Sequence, residues 1–253
     1  MLKLNSHKSV LNFNNVYLTM ENQDRALWYL ENIDVTNFFC PIKMGEAMET
    51  EHVKTFEKNE FVFLPNDNSD KIYMIIEGQI KIGTYSDNGK EITKSIISKG
   101  EVFGELSLVD VSSKRRDFAQ AMESSKVCEL STDEMKSLIK DHSNLSLFFM
   151  KLIGSRILDM EKRLESMVFK DSRTRIIEYV LELVDKKGQR VGYEFVVRNF
   201  LTHQEIANIT ATSRQTVTTI LNELKNKEIL TFNRKRLLVR DLEKLKEEIV
   251  VNV

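Results

Sequence analysis

Between Leu201 and Val239 the chain carries two short helical patterns, a tight turn and a hairpin, and this stretch constrains the fold more than any other. Thr202 can accept the backbone N–H of Glu205 while the Glu205 carboxylate reaches back, a capping box that starts a helix. A brief turn at Thr210-Ala211 leads to a second start signal, Thr212-Ser213-Arg214-Gln215, read as another capping box. The helix that follows buries Val217, Ile220, Leu221 and Leu224, a stripe at i, i+3, i+4 and i+7. Its other face presents Arg214, Gln215, Thr218, Thr219 and Asn222. Then Ile229-Leu230-Thr231-Phe232 and Leu237-Leu238-Val239 flank Asn233-Arg234-Lys235-Arg236, a hairpin with a basic tip. Two capped helices across a tight turn, followed by such a hairpin, form a winged helix-turn-helix.

The polar face has the right chemistry to read base pairs. Arginine can bind guanine O6 and N7 bidentately, and glutamine can bind adenine N6 and N7, so Arg214 and Gln215 are the candidate readers. His203, Gln204, Ser213 and Thr216 are short or polar donors that can hold phosphates and fix register, and Thr202 and Thr219 belong to the same DNA-binding set. Arg234, Lys235 and Arg236 at the wing are candidates for phosphate neutralisation. A solvated helix face would show the same polar residues, but it would not need the flanking turn and basic hairpin. Charge agrees: residues 171–253 hold 15 Lys and Arg against 12 Asp and Glu, and residues 171–240 hold 13 against 8, in a chain of net charge −1. Basic charge concentrated in one segment is what a phosphate backbone selects.

Upstream, residues 22–60 read as helix and loop, with Trp28, Leu30 and Ile33 as core contacts. From Phe61 the pattern turns to short β-type runs: Phe61–Leu64, Ile72–Ile76, Ile80–Ile82, Ile92–Ile97, Val102–Phe103 and Val127–Leu130. Pro65-Asn66-Asp67-Asn68 and Glu77-Gly78 punctuate them. Asp87-Asn88-Gly89 predicts a type I′ hairpin turn, since Asn-Gly tolerates positive φ. Evenly spaced short strands predict a small barrel or roll. A long helix follows, with Met150, Ile153, Ile157, Met160, Leu164 and Met167 at alternating spacings of three and four. That is a heptad seam, expected to pair in a parallel homodimer.

Other function classes are disfavoured. No apolar run is long enough to span a bilayer, and Met1–Met20 lacks the apolar core of a signal peptide, so a cytoplasmic location is expected. Cys40 and Cys128 are too few for a four-thiolate zinc or iron–sulfur site, and both are expected to be unpaired, inert thiols. His7, His52, His142 and His203 sit in no spaced metal motif, so no metal site is expected. No nucleophile–base arrangement and no GxxxxGK loop is present, so an enzyme is not expected and no catalytic residues are assigned.

The string Leu-Thr-x-Gln-Glu-Ile-Ala, then Thr-Ser-Arg-Gln-Thr-Val, within Leu201–Leu221 resembles the helix-turn-helix of the Crp/Fnr transcription regulators. The order of β-roll, dimer helix and winged helix matches as well. Gly100-Glu101-Val102-Phe103-Gly104-Glu105-Leu106-Ser107-Leu108, reaching Arg115, is similar to that family's cyclic-nucleotide cassette. The resemblance covers residues 50 to 240 or so. It implies an α+β fold in three parts: residues 1–143, an N-terminal extension and effector β-roll; 144–170, a dimerisation helix; 171–253, the winged helix-turn-helix. It implies a homodimer on an inverted-repeat operator in double-stranded DNA, with RNA polymerase as a further partner. It also implies a guanine contact for Arg214. The next family position is usually Glu but is Gln215 here, and a further family Arg falls on Thr219, so the operator sequence should differ.

By the same resemblance Glu105 would hold a ribose hydroxyl and Arg115 a cyclic phosphate, with Gly104 and Arg116 completing a possible effector pocket. Family nucleotide binders follow the Arg with Ser or Thr and a small Ala; this chain has Arg116-Asp117. A carboxylate at about 4 Å from a phosphate would cost roughly 1 to 4 kcal/mol at effective dielectrics of about 80 to 20. The positions that would face the base fall on Met160 and Glu161. These departures argue against classical cAMP sensing and leave no cofactor assigned, with some other small effector open. Two alternatives stand: retention of Glu105 and Arg115 as a structural ion pair, which is favoured, and a cyclic-nucleotide-sensing regulatory protein that uses both residues.

Overall fold

A computed structural model describes residues 52–109 and 114–250. The readings made for residues 22–51, including Trp28, Leu30, Ile33 and Cys40, lie outside them.

The first half is a roll of two antiparallel sheets. One has the order β1 (Val53–Phe56), β8 (Ser125–Ser131), β3 (Lys71–Glu77), β6 (Val102–Phe103); the other, β2 (Phe61–Phe63), β7 (Phe118–Ala121), β4 (Gln79–Tyr85), β5 (Glu91–Ser98). Ile72 to Ile75 are all buried because β3 is covered on both faces. Its alternation sorts the side chains: Tyr73 and Ile75 join Phe63, Ile80, Ile97, Phe103 and Val127 between the sheets. Ile72 and Met74 face the opposite way, onto Met135, Phe148, Phe149 and Leu152 of two helices. A residue one step along a strand lands on the other face, so this partition locks the register.

Those helices are α1 (Thr132–Asp141), which opens on a Ser131–Glu134 capping box, and α2 (Ser143–Phe169). The first turns of α2 bury Leu145, Phe148, Phe149 and Leu152 against the roll. Its outer face is apolar yet uncovered: Met150 is 69% exposed, Leu164 64% and Phe169 81%, with Ile157, Met160 and Met167 also exposed and Ile153 half-buried.

The last part is a winged helix. Here α3 (Ser172–Lys187), capped by Asp171 at 2.8 Å from the Thr174 N–H, packs with α4 (His203–Thr210), α5 (Arg214–Asn226) and α6 (Leu242–Val250). A sheet of order β11 (Leu230–Phe232), β12 (Arg236–Val239), β10 (Glu194–Arg198), β9 (Gln189–Val191) lies against them. Arg173 joins three helices, reaching Glu223 at 2.5 Å and Glu248 at 2.6 Å. No helix among the described residues is long and apolar enough to cross a membrane.

Three expectations need correction. Val53–Phe56, within the stretch read as helix and loop, is a strand that pairs with β8 from Val53↔Cys128 to Phe56↔Ser125. At Asp87-Asn88-Gly89 only Gly89 takes positive φ, at 74°. Its N–H reaches Ser86 O at 2.8 Å and Ser86 N–H reaches Lys90 O at 2.9 Å, so the connection is a three-residue loop with an αL glycine, not a two-residue type I′ turn. Cys128 is fully buried but carries a disulfide rather than a free thiol.

Candidate nucleic-acid interface

The first helix of the motif is set by its cap. Thr202 Oγ1 accepts the Glu205 N–H at 3.2 Å, and Glu205 Oε2 accepts the Thr202 N–H at 2.7 Å. The helix stops at Ala211, which adopts αL with φ 51°. The second start differs from expectation. Ser213, not Thr212, is the N-cap, its Oγ accepting the Thr216 N–H at 3.0 Å and lying 2.8 Å from Thr216 Oγ1. The position three residues on is Thr, so no reciprocal carboxylate or amide closes a capping box there.

Val217, Ile220, Leu221 and Leu224 are all buried. At about 100° per residue, Arg214, Thr218, Asn222, Gln215 and Thr219 fall within an arc of about 140° on the other side. Arg214, Gln215, Thr219 and Asn222 are exposed. Thr218 is half-buried, its hydroxyl donating to Arg214 O at 2.9 Å and meeting His203 Nδ1 at 2.8 Å. His203 also packs edge-on to Phe232 of the wing, ring centroids 5.2 Å apart, so one side chain joins α4, α5 and β11. Burial, and then the Arg214 guanidinium, hold its imidazole below the ordinary value of 6.5. Gln204 is exposed and donates to Asn208 Oδ1 at 2.8 Å, and Thr202 is exposed at the cap. At the wing tip Asn233 Oδ1 accepts the N–H groups of Lys235 at 2.8 Å and Arg236 at 2.9 Å. That turn leaves Arg234, Lys235 and Arg236 exposed, and none of them forms an ion pair with a described residue. The helix-turn-helix residues and the wing thus share one winged domain. The β4–β5 loop faces it across a cleft of about 650 Å³ lined by Tyr85, Lys90, Glu91, Gln204, Asn208 and Arg214.

The effector cassette is built differently from the ion pair that was favoured. Glu105, 2% exposed, pairs with Arg156 of α2, whose second nitrogen reaches Val102 O at 2.6 Å. Arg115, 6% exposed, donates instead to the carbonyls of Lys71 and Gly104 and lies over the Phe63 ring at 4.4 Å. Burial lowers its pKa. Gly104 is at φ 79°, where a Cβ would stand 3.1 Å from both Arg115 Nη1 and the Tyr73 ring. Glu105 Oε2 and Arg115 Nε are buried with no protein partner. Asp117, expected to repel a phosphate, is offset by Lys94 at 2.6 Å, so that part of the case against a cyclic nucleotide weakens. Arg116 is exposed, as are Met160 and Glu161 in the single chain.

Arg156 and Arg163 were not among the site residues expected from the sequence. Helical periodicity showed that they flank the apolar stripe, but not what the roll places beside them.

A β-roll ahead of a winged helix-turn-helix whose second helix leaves a polar face exposed is the architecture of a DNA-binding transcription regulator. Residues 53–142 match the cyclic nucleotide-binding domain and residues 174–248 the Crp-like helix-turn-helix domain. The chain is 27% identical to a global nitrogen regulator of Nostoc sp. over 86% of its own length and 93% of that protein. It is also 27% identical to a CRP-like cAMP-activated global transcriptional regulator of Mycobacterium tuberculosis, over 75% and 84%. Among solved structures it superposes on a CooA variant from Carboxydothermus hydrogenoformans with TM-score 0.66 and 26% identity, covering 77% and 86% of the two chains. The c-di-GMP responsive regulator CLP of Xanthomonas campestris shares the fold at TM-score 0.67 and 20% identity, covering 74% and 93%. The chain belongs to the Crp/Fnr family of transcription regulators.

Proposed function

We propose that this regulator acts in the cytoplasm as a homodimer, joined along Met150, Ile153, Ile157, Met160, Leu164 and Met167, and reads an inverted repeat in double-stranded DNA. The observation that carries this reading is the pairing of two unsatisfied surfaces. Apolar side chains along α2 are exposed in the single chain, and a run of that size is what a dimer seam covers. On α5, Arg214, Gln215, Thr219 and Asn222 are equally free. A two-fold axis along α2 would present two such faces, whose half-sites should lie about one helical turn apart. Arg214 specifies a guanine, Gln215 reads the neighbouring pair, and Thr202, Gln204, Ser213, Thr216 and the wing hold phosphates. His203 contributes chiefly by fixing α4 to α5. RNA polymerase is the further partner, and no catalytic step is assigned. Selection of bound duplexes from a random-sequence pool tests this: an inverted repeat is expected, and a single asymmetric site would overturn it.

A second reading, sensing of a cyclic nucleotide through Glu105 and Arg115, is favoured by the two buried groups that lack protein partners. Against it stand Arg116, Met160 and Glu161. Calorimetry with cAMP and cGMP separates the readings: the account expects no binding at micromolar concentration, and micromolar binding lost in Arg115→Ala would install the second reading.

A further inference from the structure

Arg163, seven residues beyond Arg156 on α2, points away from the seam into the space between the β-roll and the winged helix. Its Nη2 donates to Thr93 O at 2.7 Å and to Ile209 O, and its Nη1 donates to Lys94 O. It forms no ion pair within 4 Å of a described carboxylate; burial lowers its pKa, and Glu182 offsets that only from a distance. A desolvated guanidinium without a counter-ion is costly unless its N–H groups are met by well-placed acceptors. Here three backbone carbonyls meet it, and they come from two different parts of the molecule.

Each carbonyl is available for a local reason. β5 is the edge of its sheet, so its outer carbonyls lack a strand partner. Its pairing with β4 jumps from Ile82↔Ser95 to Gly83↔Thr93, which leaves Lys94 as an extra residue in a bulge. Gly83 permits this, since a Cβ there would come within 2.6 Å of Ile92 O and the Phe118 ring. At the bulge two successive carbonyls, Thr93 and Lys94, serve one guanidinium. Ile209 lies in the last turn of α4, where carbonyls have no intrahelical donor and the helix dipole favours a cation. Arg175 serves the same end, with Nε on Thr210 O at 3.0 Å and Nη1 on Lys170 O at 2.8 Å.

We infer that Arg163 is a positioning residue for DNA recognition, bolting the first helix of the helix-turn-helix to the β5 bulge of the roll. The inference rests on the DNA-reading function proposed above. With the bolt closed, α5 is held at one attitude while its reading face stays exposed. Two half-sites on one duplex are engaged together only if both recognition helices hold the right spacing and tilt, so fixing them in advance adds to avidity. A single half-site makes no such demand.

The test uses the full chain and the inverted repeat selected by the wild type, beside a duplex carrying one half-site. Arg163→Ala is expected to lose roughly tenfold in affinity for the inverted repeat. It should bind the single half-site as the wild type does, and amide exchange across 91–98 and 203–210 should quicken. Arg163→Lys, whose point charge cannot span carbonyls on two sides, should fall between them, and it replaces the Ala variant if that fails to fold. An equal loss on both duplexes would mark a general folding defect and overturn the inference, as would unchanged affinity for the inverted repeat or unchanged exchange. If selection with the wild type yielded no bound duplex, the DNA reading itself would fail, and exchange would still decide whether the bolt exists.

Discussion

At the residue scale two side chains in the helix-turn-helix can be tested without any DNA. Ala211 ends α4 in the left-handed region at φ 51°. An L-residue there costs roughly 1–2 kcal/mol, and glycine avoids this at a backbone-entropy cost of roughly 0.5–1 kcal/mol. Ala211→Gly should therefore stabilise the protein by about 0.5–1 kcal/mol, seen as a higher denaturant midpoint with unchanged slope. His203 makes stability depend on pH. Its folded pKa lies below its unfolded value of 6.5, so the unfolded chain binds the extra proton first. The contribution is complete above about 6.5 and is lost as pH falls through the folded value. Denaturant midpoints measured on either side of 6.5 should show this fall, and His203→Gln should flatten it. The left-handed conformation of Ala211 could not be read from residue types alone, although the turn there could. Thr202-x-x-Glu205 was legible because a capping box is written in four adjacent residues. The role of His203 was not, because Thr218 and Phe232 approach it from other elements.

At the element scale, legibility followed how far a pattern depends on distant partners. The stripes of α5 and the strands β3, β4 and β5 stood out because their periodicity is local. β7 (Phe118-Ala-Gln-Ala121) carries too little alternation, and it exists through its pairing with β2 and β4. β1 likewise depends on β8, more than 60 residues away. The cassette Gly104-Glu105 and Arg115 was visible as a motif, yet its ion pair was misassigned because Arg156 arrives from a helix about 50 residues further along the chain. For α2 the seam itself yields a prediction. Ile157 and Leu164 are exposed in the single chain, so lysine at both positions leaves each subunit folded but sets like charges against each other at a seam. Ile157→Lys with Leu164→Lys should give a monomer by light scattering, with the circular dichroism of the wild type; a persistent dimer would reject this interface.

At the scale of the whole molecule, a β-roll, a long helix and a winged helix are joined by polar links, two of them made by arginines of α2. Arg156 grips the roll at Glu105, and Arg163 grips both the roll and α4. The helix between roll and winged helix is therefore also the part proposed to pair two subunits, which would put both α5 helices under one geometry. In the function proposed for the winged helix, α5 reads sequence while the wing supplies charge. The most direct test titrates the wild type, Arg214→Ala and Arg236→Ala against the selected operator and a scrambled duplex at two salt concentrations. Arg214→Ala should lose about 1–3 kcal/mol on the operator alone and relax the choice at one base pair. Arg236→Ala should weaken both duplexes alike and reduce the salt slope by about one ion. Equal weakening of both duplexes by Arg214→Ala would make that residue a phosphate contact and contradict the assignment of the reading face.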